Sequence, residues 1–246
     1  MLGPLLFIIY DDTKVGIQIN NIADCEQLQL CIDNMLAWSG DWKMSFNIPK
    51  CKVLHTGLHN LRFKYKMNDQ LLAKVDMEKD VGINITSTLK PSEHCKIASR
   101  TAMKVLFQLL RAFTYRDKKV FLKLYITYVR PHVEFAAPVW SPWLSKDVIA
   151  LERVQEKFVK NVQGLHNHTY QEKLHELGIL SLENRRKYLD IVECFKIIHC
   201  FTNVDRRLYF ELVSDSNRRP TRATLCPVNI VVQRCNLEVR RNFFNI

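Results

Sequence analysis

The strongest constraint on this chain is a change of hydrophobic period at about Pro91. Before it, apolar residues recur at every second position in short runs. After it, they recur at every third or fourth position. A period of two makes two-faced strands and a period near 3.6 makes amphipathic helices, so neither half can take the other's structure without exposing its apolar set. The pattern predicts an α+β fold. Residues 1–90 form a small antiparallel β region with one helix, residues 91–213 a mainly α-helical region, and residues 214–246 a loosely ordered basic tail holding Arg218, Arg219, Arg222, Arg234, Arg240 and Arg241. Only 7 glycines in 246 residues agrees with a helical bias.

In the first region, LLFIIY followed by TKVGIQI predicts strand, turn, strand, with Val15, Ile17 and Ile19 on one face and Asp11 and Asp12 at the turn. Aspartate suits turns because its side chain bonds local N–H groups, so a polar hairpin tip is one reading of the pair. Leu28, Ile32, Met35, Leu36 and Trp42 predict a helix capped by Asp24. Asn47–Pro49 reads as a turn feeding a strand over Cys51–His55. LRFKYKM alternates strictly: Leu61, Phe63, Tyr65 and Met67 face one way, and Arg62, Lys64 and Lys66 the other. That is a half-buried strand with a basic outer face. Asn68-Asp69 turns the chain, QLLAKV pairs back, and Val81–Ile85 is a short strand. Asp76, Glu78 and Asp80 read as an exposed loop.

In the second region, Glu93–Phe113 predicts a helix burying Ile97, Thr101, Val105, Leu109 and Ala112, with a cationic stripe of Lys96, Arg100, Lys104 and Arg111. Asp117 starts a helix that Pro131 stops. APVWSPW reads as a loop. Ser145 caps a helix carrying Val148, Leu151, Val154, Phe158 and Val162. Tyr170–Leu177 is a short helix closed by Gly178. Ser181 caps another that runs towards Phe201, with Arg185, Arg186 and Lys187 placed against the helix dipole.

The formal net charge of +11 names polyanions as partners, nucleic acid first and an acidic membrane surface second. The alternative is a merely soluble basic protein. The opening LGPLLFIIY lacks a basic leader and a small-residue cleavage site, and is far short of the ~20 residues that span a bilayer. The sequence therefore reads as intracellular, cytoplasmic or nuclear, without a membrane partner. The 8 cysteines are scattered without a C-x-x-C pair, which fits a reduced compartment and argues against zinc. Trp38, Trp42, Trp140 and Trp143 could stack on bases, with core packing the default and expected above all of Trp42. The faces Arg62/Lys64/Lys66 and Lys96/Arg100/Lys104/Arg111 could track a phosphate backbone, or be ordinary solvated faces.

Several phrases are similar to a known family: LGPLLF, DDTKV, LAWSGDWKMSFNIPKCKVL, EKDVGINI, YVRPHVEFAAPVWSP, LERVQEKF and SLENRRKYLDI. Together, in order and spacing, they resemble reverse transcriptases of non-LTR retrotransposons (LINE elements) of the jockey-like group, over nearly the whole chain. The resemblance implies the later half of a polymerase palm in residues 1–90, then a helical thumb and its extension. It implies an RNA-directed DNA polymerase, a nucleotidyltransferase acting on an RNA template and a DNA primer with deoxynucleoside triphosphates and Mg²⁺. Asp11 and Asp12 match the family's catalytic, metal-binding hairpin. Lys50 matches the lysine near the incoming triphosphate, and Leu61–Gly82 resembles the primer grip.

The chain also departs from that pattern. The connection between LGPLLF and the aspartate hairpin is missing, which yields Tyr10-Asp11-Asp12. The fingers, and the strand with another catalytic aspartate, do not precede it. Two-metal phosphoryl transfer needs carboxylates converging from neighbouring strands, and adjacent aspartates diverge. The expectation is a truncated enzyme, inactive by itself, that holds Mg²⁺ weakly and retains non-specific nucleic-acid binding. The alternatives are a polymerase completed by another chain and a non-functional pseudogene product. Oligomeric state is not legible in the sequence.

Overall fold

A computed structural model describes residues 5–9, 12–213 and 230–231, and of residues 5–9 and 12 only the backbone. Asp11 and the tail arginines lie outside the described residues. The fold is α+β, in two compact units, Met1–Leu89 and Lys90–Ile246.

The first unit opens with the expected hairpin. Strand β1 (Leu5–Ile9) runs antiparallel to β2 (Asp12–Gly16), with Ile9 opposite Asp12 at the closed end. Helix α1 spans Ile22–Asp41. Its N-cap is Asn21 rather than Asp24. The Asn21 side chain accepts from the Asp24 N–H, while the Asp24 carboxylate accepts from the N–H groups of Asn20 and Asn21. Asp24 thus closes a capping box from inside the first turn. Trp42, expected in the helix core, sits at the C-cap and is 65% exposed, beside a half-exposed Trp38.

A 3₁₀ turn over Ile48–Lys50 leads into β3 (Lys52–Leu54). The alternating segment is a strand only at its end, β4 (Lys66–Met67), yet its burial still alternates. Tyr65 and Met67 join Ile32 of α1 in the core, where Leu28, Leu36, Phe46, Val53 and Phe63 surround them. The departure is at Arg62, whose φ of +53° breaks the extended run. QLLAKV divides between two partners. β5 (Gln70–Leu71) pairs back on β4, and β6 (Ala73–Val75) runs parallel to β3. Asn68 and Asp69 both have positive φ, as a tight two-residue hairpin turn requires, and Asn and Asp tolerate it. The acidic segment is not a loop. Met77–Asp80 forms β7, antiparallel to β8 (Ile83–Thr86), and its acids are used: Asp80 binds Lys14 and Glu78 binds Lys52 at 2.8 Å.

The second unit is helical. Helix α2 (Ser92–Ala112) packs chiefly on α6 (Ser145–Lys160). Its buried residues are His94, Cys95, Ala98, Ala102 and Leu106, one position round from the expected face, so Ile97 and Thr101 are exposed. Small residues win that face because the α6 side is bulky: Leu151, Val154 and Phe158 are fully buried there. Asp117 caps α3 (Lys118–Leu124) by accepting from the N–H groups of Lys119 and Val120. Pro131 does not end the path. A π-helical turn over Tyr125–Val129 intervenes, and Pro131 opens α4 (Pro131–Glu134), where its missing N–H costs nothing. The APVWSPW segment contains α5 (Ala137–Trp140), with Trp140 buried and its Nε1 donating to the Phe135 carbonyl at 2.7 Å.

Ser145 is the first residue of α6, and Leu144 occupies the cap without a side-chain bond. α7 (Tyr170–Leu177) has a Thr169–Glu172 capping box and ends on Gly178 at φ +63°, as expected. α8 (Leu182–Ile198) is capped by Ser181. Among the described residues no helix is long and apolar enough to cross a membrane.

Candidate nucleic-acid interface

Apart from Asp11, each candidate site residue has a described position. Lys50 is exposed at the end of the 3₁₀ turn, fixed by its N–H bond to the Asn47 carbonyl at 2.9 Å. Of Asp12 only its strand position is described. Lys14 lies two positions along β2 from Asp12 and pairs with Asp80. Asp80 is already neutralised by that lysine. Among the described residues no three metal-ligating side chains converge.

The Arg62/Lys64/Lys66 face is not one surface. Lys64 and Lys66 line a groove of about 310 Å³ with Gln29, Asp33, Phe63, Asn68 and Asp69. The groove is built by Gln29, whose side-chain amide binds the Lys66 backbone and also donates to Asp33 Oδ1 at 2.9 Å. Two carboxylates therefore share the groove with two lysines, and its field is mixed. Arg62 is outside this lining. Its N–H donates to Asn60 Oδ1 at 2.9 Å, and its left-handed backbone turns it out of the alternation.

In the second unit Lys96, Arg100, Lys104 and Arg111 are all exposed on α2. Lys96 meets Glu93 at 3.5 Å one turn earlier. Arg100, Lys104 and Arg111 form no ion pair among the described residues, and neither do Lys64 and Lys66. The spacing of four between the first three puts them on one helical face, within reach of successive phosphates.

Two of the three cations opening α8 have ion-pair partners. Arg185 binds Glu134, Lys187 binds Glu183 at 2.7 Å, and Arg186 is buried. Burial pulls the Arg186 pKa down, while Glu152, Cys95, Glu183 and Asp190 act in the opposite direction. Glu152 also accepts from the N–H groups of Leu182 and Glu183, so a carboxylate of α6 answers the dipole that the sequence leaves opposed. The described cysteines, Cys25, Cys31, Cys51, Cys95, Cys194 and Cys200, are all free. Burial, with the Asp147 charge second, pushes the Cys95 thiol up to about 12, which makes it an inert core residue.

Sequence reasoning missed Gln29 and Asp33. A polar helix residue opposite an extended segment carries no local signal, because its partner lies 37 positions away.

Comparison with known proteins adds one relative. No family model matches the chain, and no solved structure does. An uncharacterized protein of Caenorhabditis elegans, B0403.1, is 28% identical over 111 residues, which is 44% of this chain. The matched part is 56% of that protein, so the chain spans about half the length of the curated relative it matches.

Proposed function

We propose that this chain derives from a non-LTR retrotransposon reverse transcriptase and that its surviving activity is non-specific binding of RNA and DNA backbones, without polymerisation on its own. The observation that carries the binding half is the α2 face, where Arg100, Lys104 and Arg111 are exposed and, among the described residues, no carboxylate pairs with them. Unpaired surface cations bind polyphosphates by releasing condensed counterions, and this needs no sequence readout. The derivation half rests on the ordered set of family-like phrases from LGPLLF to SLENRRKYLDI.

The polymerase half is judged by its donors. Mg²⁺ in such enzymes asks for oxygen ligands that converge and are free to bind. Here Asp80 and Glu78, the acids brought into contact with β2 and β3, are each held by a lysine. An ammonium at the carboxylate competes with a metal for the same oxygens. These residues do not fit a two-ion site, and no catalytic step is assigned to them.

The test is anisotropy of labelled single-stranded RNA and DNA oligonucleotides across a salt series. Binding is expected for both sugars with little sequence preference, and log K should fall linearly with log salt. Absence of binding at low salt overturns the reading. Primer extension with Mg²⁺ and deoxynucleoside triphosphates is expected to give no product; incorporation by the purified chain overturns the second half.

A further inference from the structure

The outer face of α2 carries an aromatic ring among its cations. With 3.6 residues per turn, Arg100, Lys104, Phe107 and Arg111 fall within about 60° of one another around the helix. Ala98, Ala102 and Leu106, which are buried, lie on the opposite side. Phe107 is accordingly 46% exposed, and the three cations are exposed with it. A rise of 1.5 Å per residue sets Lys104 about 4.5 Å before the ring along the axis and Arg111 about 6 Å after it. A fourth cation arrives from the neighbouring helix. α6 runs alongside α2, with the Ser92 hydroxyl donating to Asp147 where both begin and the Lys157 ammonium standing over the Phe107 ring, 5.8 Å from its centroid, further along both.

A single exposed phenyl is ordinary on a protein surface. A phenyl with a cation before it, a cation after it and a third over its face is a different arrangement, because its order along the helix is that of a nucleotide strand: phosphate, base, phosphate. A nucleobase laid on the ring removes apolar surface from water, and its flanking phosphates then meet the flanking cations. The Lys157 ammonium is a point charge on a flexible four-carbon stem, free to follow a phosphate when a base takes the ring. The acids nearby leave these charges open. Glu93, the only acidic residue of α2, meets Lys96 at 3.5 Å. On α6, Asp147 accepts from Ser92 and Glu152 from the start of α8. Glu156 is next to Lys157 in the chain, yet among the described residues no ion pair joins any acid to Arg100, Lys104, Arg111 or Lys157.

We infer that Phe107 is a base-stacking residue that makes the α2 face selective for unpaired nucleotides over a duplex. In a duplex each base already stacks on its neighbours, so the cations find phosphates but the ring finds no partner. In a single strand one base lies on Phe107 between the phosphates that Lys104 and Arg111 attract. An anionic membrane surface fits this face less well, since it asks for a stripe of apolar residues at helical spacing and the face offers one ring. The inference rests on the nucleic-acid reading and goes beyond it, because attraction to a phosphate backbone needs no aromatic residue.

The experiment uses the full chain and Phe107→Leu, which keeps an apolar side chain and removes the π-face, with Phe135→Leu as a control at another exposed phenyl of the same unit. Circular dichroism establishes that both variants are folded. Anisotropy across a salt series follows three probes: a labelled oligouridylate, an abasic strand of equal length and an RNA duplex of equal phosphate count. Phe107→Leu is expected to bind the oligouridylate at least about fivefold more weakly, the low end for loss of one base–aromatic stack. Its salt slope should stay the same, because no cation is removed. The unsubstituted protein should bind the abasic strand more weakly by a similar factor, and neither the abasic strand nor the duplex should register the substitution. Phe135→Leu should change none of these. If Phe107→Leu does not fold, the abasic comparison on the unsubstituted protein decides. Equal affinity for oligouridylate and abasic strand, or an oligouridylate affinity indifferent to Phe107→Leu, overturns the stacking role and leaves backbone binding standing. Absence of oligonucleotide binding at low salt overturns both readings together. An effect of Phe107→Leu seen with phosphatidylserine vesicles and not with the oligouridylate overturns the nucleobase as the partner of the ring.

Discussion

The Gln29 side chain binds the backbone of Lys66 as a neighbouring strand would: Lys66 N–H donates to Gln29 Oε1 and Gln29 Nε2 donates to the Lys66 carbonyl, both at 2.9 Å. One helix residue thereby satisfies both polar groups at an otherwise unpaired strand edge. It also fixes which way Lys66 faces. The placement of the groove lysines on α1 follows from this pair of bonds as much as from the burial of Tyr65 and Met67.

Replacing Gln29 tests that statement. Gln29→Ala removes both bonds and is expected to cost about 1–3 kcal/mol, from a typical net value of ~1 kcal/mol per hydrogen bond. Gln29→Glu keeps the acceptor and loses the donor, so it should lie between. Amide exchange at Lys66 is the direct readout, rising by roughly tenfold or more in Gln29→Ala if the loss is local. An unchanged Lys66 amide would mean that the hairpin holds itself.

A second buried polar arrangement should be costlier to break. Gln155 is fully buried on α6; it accepts from Tyr125 Oη at 2.8 Å and donates to the Leu180 carbonyl at 2.9 Å and to Tyr170 Oη at 3.2 Å. Tyr170 in turn donates to Glu152, the acid that caps α8. Gln155→Leu keeps the volume and strands three partners, so a loss of about 2–4 kcal/mol is expected in urea denaturation. Tyr125→Phe keeps the ring stack on Phe158, at 4.1 Å and 10°, and removes one bond, so about 1–2 kcal/mol is expected. The order of the two losses is the test; Tyr125→Phe equalling Gln155→Leu would contradict the network.

Acid should weaken the second unit in a way that traces to named glutamates. The backbone N–H of Thr169 holds the Glu172 pKa below the ordinary value, and Lys118 and Lys187 do the same for Glu176 and Glu183. A carboxylate with a depressed folded pKa binds fewer protons folded than unfolded. Its stabilising contribution is therefore complete above the unfolded pKa and is lost as pH falls through the folded one. The expected result is a melting temperature that declines below about pH 4.5. The decline should be shallower in Glu172→Gln, which cannot titrate but can still accept from Thr169. Parallel acid limbs for the two proteins would count against the capping box as the source.

What the sequence made legible, and what it hid, follows the range of the interactions involved. The Tyr170–Leu177 helix and its Gly178 stop are local, and the expected bounds match. The Asn68-Asp69 turn is local too. The α2 face came out one position round because Ala98 and Ala102 are weak apolar signals beside Ile97 and Val105. Only the bulk of α6 makes small residues the right ones to bury. The β7 strand was hidden because Asp76, Glu78 and Asp80 look like solvent, and their lysines are 26 and 66 positions away. The Arg62/Lys64/Lys66 alternation was misleading for the same reason. Three cations at alternate positions suggest one face, yet a single left-handed residue, Arg62, divides them, and no residue type at 62 announces that conformation.

The last prediction turns on that division. Because Asp33 and Asp69 share a groove with Lys64 and Lys66, the groove should bind phosphate less well than the open stripe of α2. Neutralising Lys64 and Lys66 together is expected to lower oligonucleotide affinity modestly. Neutralising Arg100, Lys104 and Arg111 should lower it more and remove roughly two units of salt slope, at ~0.7 per phosphate contact on a single strand. Removing a groove acid should then do the opposite. Asp69 sits at φ +60° in a turn that asparagine tolerates equally well, so Asp69→Asn deletes a negative charge with the backbone undisturbed. The variant is expected to keep its melting temperature and to bind single-stranded RNA about two- to threefold more tightly at low salt, with the gain vanishing near 1 M salt, where the screening length falls to ~3 Å. If Asp69→Asn leaves affinity unchanged while the α2 substitutions abolish it, the groove plays no part and binding belongs to the helical unit alone.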